Sequence, residues 1–111
     1  MPIFTSFVKY TPEAIKATIE TGSDRSIAAK AAVESAGGKF HGMWGIYGRD
    51  HHAMMVSEFD DDVTYNSVVM KVLLGGACDD IKTWNNYSMS DVVKSAEIAM
   101  GGSIDYKPAG S

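Results

Sequence analysis

Two glycine pairs, Gly37-Gly38 and Gly75-Gly76, each follow a stretch of helical apolar spacing, with β-branched and aromatic runs around them. Glycine adopts the left-handed conformation past a helix end without a Cβ penalty, so each pair stops a helix. Residues 3–10 (IFTSFVKY) and 39–47 (KFHGMWGIY) read as strands, as do 51–58 and 80–88. Thr11-Pro12-Glu13 starts the first helix. Threonine caps it, proline supplies a fixed φ, and the acid suits the N-terminal dipole. Ile15, Thr18 and Ile19 share a face. Gly22 interrupts the helix, Ser23 recaps it, and Ile27, Ala31 and Glu34 continue one side. Asp61 or Asp62 caps a helix through Leu74, with Val68, Val69, Val72 and Leu73 inward. Ser90 caps a last helix to about Met100, with Val92, Val93, Ala96 and Ile98 as its apolar residues.

The resulting order, βαββαβ with a C-terminal helix, predicts an α+β fold. Right-handed crossovers convert that order into a ferredoxin-like antiparallel sheet with helices on one face. The other face, if apolar, needs cover, and a second subunit is the usual cover. We therefore expect a homodimer or higher homo-oligomer. One domain spans residues 1–100, and residues 101–111 form a tail.

Composition narrows the classes of function. At 45% apolar and 22% charged residues, this chain of 111 resembles an ordinary globular domain. Ten basic residues are scattered among fourteen acids, for a net charge of −4. Duplex binding draws most of its affinity from Lys and Arg on phosphates, so no nucleic-acid partner is expected. No apolar run approaches the roughly 20 residues that span a bilayer, and the start lacks a basic region followed by an apolar one. Cys78 is alone, which fits a reduced, cytoplasmic setting with no internal disulfide. Asp60-Asp61-Asp62 and Asp79-Asp80 read as caps and solvated turns, since no Asp-x-Asp-x-Asp-Gly loop follows.

The segment Tyr47–Asp62, YGRDHHAMMVSEFDDD, holds two of the three histidines. A two-residue loop at Gly48-Arg49 would place Tyr47 opposite Asp50, and 43 opposite 54. Alternation then assigns His41, Met43, Tyr47, Asp50, His52, Met54, Val56 and Glu58 to one face. Phe40, Trp44, Ile46, His51, Ala53, Met55 and Ser57 take the other. An even loop preserves this partition; a three-residue loop breaks it. His51 and His52 point to opposite faces and cannot jointly hold one ion from a regular strand. No His-x-x-x-His or Cys-x-x-Cys spacing exists, so no metal ligand is assigned, and a metal site would need ligands from two subunits or from helices. Tyr47 and His52 are diagonal neighbours about 7–8 Å apart, within reach of one small ligand. Histidine can carry a proton there and tyrosine can orient an oxygen. The plain alternative is a solvated hairpin tip. Arg25, near the start of the second helical segment, can meet an anion; otherwise it is an exposed or ion-paired arginine. Trp44, Met43, Met54 and Met55 either line an apolar pocket or serve as core. Asn85 and Asn86 sit on an exposed edge or offer a pocket amide.

Three stretches carry a family resemblance: MPIF…VKYTPEAIK at the start, Arg25 with AAKAAVESAGGK, and GMWGIYGRDHHAMMVSEFDDD through the hairpin. Over residues 1–100 the chain resembles the GYD-domain proteins. That family is similar to the dimeric α/β-barrel superfamily, in which two ferredoxin-like units close a barrel. The eponymous Gly-x-Tyr-Asp falls on Gly48, Arg49, Asp50 and His51, and only the glycine matches. The superfamily includes cofactor-free monooxygenases, lactone isomerases, haem-degrading enzymes and ligand-sensing domains, so the resemblance implies a fold and no particular cofactor. Pro2, a base in tautomerases when it is N-terminal, is a lesser idea, because two β-α-β repeats are lacking.

These readings converge on a small organic molecule, largely apolar, as ligand. His52 and Tyr47 are the expected catalytic pair for isomerase- or monooxygenase-like acid–base chemistry without a cofactor. Trp44, Met54, Arg25, His51 and Asp50 are the expected substrate-binding residues. The rivals are a non-catalytic sensing or assembly module and a protein with metal ligands shared between subunits.

Overall fold

A computed structural model describes residues 2–46 and 50–110. The elements run β1 (Ile3–Tyr10), α1 (Pro12–Thr21), α2 (Arg25–Ser35), β2 (Lys39–Gly45), β3 (Ala53–Glu58), α3 (Asp62–Leu74), β4 (Cys78–Asn86) and α4 (Met89–Met100). The four strands form one sheet in the order β2-β3-β1-β4, with every neighbouring pair antiparallel. This is the expected α+β, ferredoxin-like arrangement.

Local chemistry sets the ends of the elements. Thr11 accepts the Ala14 N–H at 3.1 Å and Asp61 accepts the Thr64 N–H at 2.7 Å, each satisfying an otherwise orphaned helix donor. Two caps differ from expectation. Asp24, not Ser23, caps α2, because its carboxylate takes both the Ser26 N–H and the Ser26 hydroxyl. Ser88, not Ser90, caps α4 through the Asp91 N–H, since β4 begins and ends two residues early.

The core lies between the sheet and the helices. Phe4 stacks on Tyr65 with ring centroids 4.1 Å apart, and Phe59 packs edge-on to both. Val33 and Val68 complete the buried cluster. Gly38 makes this packing possible, since a Cβ there would sit 2.6 Å from the Phe59 ring. The inner face of α2 is Ala29, Ala32, Val33 and Ala36, whereas Ile27, Ala31 and Glu34 are exposed. The break at Gly22 restarts the helix in a new phase, and an alanine-rich segment carries too little contrast to reveal it.

The hairpin register departs from expectation by one residue. Trp44 pairs with Met54 and Met43 with Met55, not 43 with 54. The last bond described in the ladder joins the Ile46 N–H to the His52 carbonyl at 3.1 Å, so an odd-length connection, residues 47–51, closes the hairpin. A bulge between Phe40 and Gly42 then restores the original phase toward the strand ends. Gly42 sits there at φ 155° with the Trp44 ring lying over it, and a Cβ would meet that ring at 2.8 Å. Met43 and Met55 therefore face the helices, while Trp44 and Met54 share the open face. Tyr47, Gly48 and Arg49 lie outside the described residues.

Candidate functional site

Between α2, α3 and the sheet lies a cavity of about 110 Å³. Val8 and Ile81 line it from the sheet, Met43 and Met55 from the hairpin, and Val68 and Val72 from α3. At one place on its wall Ser6 and Tyr65 begin a chain of three hydroxyls that runs on to Thr83, outside the lining. Ser6 Oγ lies 2.6 Å from Tyr65 Oη, which lies 2.5 Å from Thr83 Oγ1. Each hydroxyl there has a partner, so this wall of the cavity is polar yet satisfied.

Tyr10, Arg25 and Cys78 form another part of the lining. Tyr10 ends β1 opposite Cys78 on β4, and Arg25 opens α2. Burial pushes the Tyr10 hydroxyl above its ordinary value, and the nearby Cys78 adds to the rise, while Arg25 pulls against it. Burial likewise pushes the Cys78 thiol up, against Arg25 and with Asp79. Both groups therefore stay protonated at neutral pH. Cys78 is a thiol and not an activated nucleophile, and Tyr10 retains a proton to donate.

His52 stands directly behind this group. Its ring lies 6.1 Å from that of Tyr10, nearly parallel, and its Nδ1 accepts the Tyr10 N–H at 3.0 Å. Nδ1 is thus occupied, and Nε2 is the nitrogen left to move a proton. The neighbouring His51 belongs to a different group. It is buried, with Nε2 2.8 Å from Asp80 Oδ2 and Nδ1 3.6 Å from Asp50 Oδ1. Lys82 Nζ approaches Asp50 at 3.8 Å. Asp50 is held below the ordinary carboxylate range by its own backbone N–H first, then by His51 and Lys82. His41 Nε2 pairs with Glu58 Oε1 at 2.7 Å. The three histidines thus have three separate sets of partners. Among the described residues no three His, Cys, Asp or Glu side chains are placed to hold one metal ion.

The open sheet face gathers the remaining residues. Trp44 faces Met54, Met54 faces Phe7, and Phe7 meets Trp84 edge-on with centroids 5.2 Å apart. Asn86 donates to the Thr5 hydroxyl at 2.8 Å on the same side of the sheet. The structure therefore divides the expected residues into three places. Arg25 lines the cavity, with His52 one ring behind it. Trp44 and Met54 share the open face. His51 and Asp50 sit in a polar cluster, and Tyr47 is outside the described residues.

Sequence reasoning did not name Tyr10, Ser6, Tyr65 or Cys78 as site residues. Tyr10 and Cys78 are 68 positions apart and meet only through the β1–β4 register. One signal existed for Tyr65, a tyrosine on the same side of the helix as Val68, Val69 and Val72, because a buried tyrosine hydroxyl requires a partner.

No helix among the described residues is long and apolar enough to cross a membrane. A comparison with curated proteins finds no match. Among solved structures, the chain is similar to the C-terminal domain of the MgtC protein from Mycobacterium tuberculosis. That likeness has a TM-score of 0.51 and 11% identity, and it covers 77% of this chain and 86% of that one. A weaker likeness, TM-score 0.44 and 11% identity over 79% of this chain and 94% of that one, is to a MhuD mutant with two manganese protoporphyrin IX bound per active site. The first likeness supports the fold alone. The GYD domain family matches residues 4–96, most of the folded region. The chain is a member of the GYD domain family.

Proposed function

We propose that this protein binds a small, largely apolar organic molecule in the cavity between α2, α3 and the sheet. One observation carries the reading: an apolar space of about 110 Å³ with a few polar groups on its wall. A dry cavity of roughly 150 Å³ lined by aliphatic side chains holds benzene, so this one suits about a single ring or a short branched chain. Thermal-shift screening against small aromatic and carboxylic metabolites tests the proposal, because a ligand that binds only the folded state raises the melting temperature. Ala29→Phe, which fills the space from α2, should abolish the shift. An undiminished shift in that variant would place the ligand elsewhere and end the reading.

Acid–base turnover is a second step with narrower support. His52 would carry the proton on Nε2, with Tyr47 orienting an oxygen. It requires that His52→Ala lose turnover while retaining binding in the cavity.

Self-association completes the reading, and surface area supports it. The chain exposes 7905 Å², whereas a compact monomer of 11.9 kDa exposes about 5,900 Å². The surplus, about 2,000 Å², matches one subunit's share of a large permanent interface. The radius of gyration tells the same story, at 17.9 Å against about 13 Å for a compact chain of this length. Two exposed apolar surfaces could be covered by such an interface: the open sheet face with Trp44 and Trp84, and α4 with Val92, Val93 and Ile98. Every residue from Trp84 to Gly110 is exposed, and a helix of 12 residues is marginal in water without packing. A second copy of this chain is the partner, with sheet faces and α4 helices covering one another.

A further inference from the structure

The cavity has an unbalanced lining. Arg25 is the one charged side chain among its described lining residues, and none of them is acidic. Among the described residues, no carboxylate lies within ion-pair distance of the Arg25 guanidinium. Asp24, its neighbour in sequence, is committed to capping α2. Beside Arg25 stand Tyr10 and Cys78, both kept protonated. A guanidinium only donates, and a protonated phenol has a proton to give. The cavity thus offers an apolar body and, beside it, a cluster of donors with a fixed positive charge. In a protein of net charge −4, that arrangement is a local inversion.

We infer that the ligand is a small apolar monocarboxylate, its body in the cavity and its carboxylate against Arg25 and the Tyr10 hydroxyl. This rests on the binding reading above and adds the chemical class of the ligand. The carboxylate follows from geometry as well as charge. A planar guanidinium matches a carboxylate with two parallel hydrogen bonds, and the phenol reaches a remaining lone pair. One cation balances one negative charge, so a monoanion suits the site better than a phosphate dianion. A volume of about 110 Å³ limits the body to about one six-membered ring or a comparable branched chain.

Benzoate, its neutral isostere benzamide, and toluene distinguish the two readings. Binding of each is followed on the intact protein by NMR titration of the methionine methyl groups, with Met43 and Met55 reporting from the cavity wall. Benzoate should bind about tenfold more tightly than benzamide, a typical scale for one well-placed charged contact. Arg25→Gln should reduce that ratio to within about twofold and should weaken toluene binding far less than benzoate binding. Arg25→Lys, which keeps the charge and loses the paired geometry, should fall between the two. Arg25 is exposed, so these replacements leave the core intact. If benzoate and benzamide bind equally to the unaltered protein, the carboxylate inference is wrong and the binding reading stands. If Met43 and Met55 respond to none of the three probes, both fail.

Discussion

Helices α3 and α4 obey the same local rules and meet opposite fates. Each begins with a polar cap, Asp61 or Ser88, and each stops at a glycine, Gly75 or Gly101. Both carry valines at helical spacing. Yet α3 buries Tyr65 and Val68 against the sheet, while α4 buries nothing. Helix rules select the segments that become helical; whether a face finds a partner depends on where the chain delivers it. The connection from β3 to β4 passes across β1 and brings α3 over the sheet. β4 is an edge strand, and α4 leaves it for solvent.

The comparison can be broken most forcefully at the core. Phe4→Ala should cost about 3–5 kcal/mol, because Phe4 touches both Tyr65 and Phe59 and the space left cannot collapse. Chemical denaturation would show it, and a loss below about 1 kcal/mol would mean that α3 is not anchored as described. The corresponding test on α4 is the double variant Val93→Asp, Ile98→Asp. Light scattering at micromolar concentration should give a dimer for the unaltered chain and a mass near 12 kDa for the variant, with the fold retained. A monomeric unaltered chain would refute the assignment of α4 to an interface. A smaller effect sharpens the α3 side. Tyr65→Phe removes the middle of the Ser6–Tyr65–Thr83 chain and leaves two hydroxyls short of a partner, at about 1–3 kcal/mol.

Alkaline pH gives the smallest effect. Tyr10 and Cys78 both have folded values raised above their ordinary 10.0 and 9.0. The folded state therefore holds these protons more tightly than the unfolded state. The stability they contribute is full below about pH 9 and is lost as pH rises through the folded values. A denaturation series from pH 8 to 11 should show that decline, and Tyr10→Phe, Cys78→Ala should flatten it. The same burial should make Cys78 slower than free cysteine toward iodoacetamide at pH 8.

How far the sequence could be read varies by element. The strands and helices, their order and the ferredoxin-like sheet follow from residues whose meaning is local: Thr11-Pro12, Gly37-Gly38, Asp61, Gly75-Gly76. The site was harder. Arg25 could be read either as an anion contact or as an exposed or ion-paired arginine, and its place in the cavity lining depends on the fold. The faces of the hairpin were not legible. Trp44 and Met43 exchange sides through one bulge at Gly42 and an odd-length connection, and strand alternation magnifies a single-residue change into a full reversal.

Sequence alone therefore determined the elements, their order and the net acidity of the chain, because capping, turn conformation and alternation act over a few residues. Only the tertiary structure decided which side chains meet. Tyr10 finds Cys78 across the β1–β4 register, Arg25 comes to the same lining, and Met43 turns inward beside Met55. Those contacts span up to 68 positions, and their geometry depends on sheet register and helix placement, which no local spacing encodes.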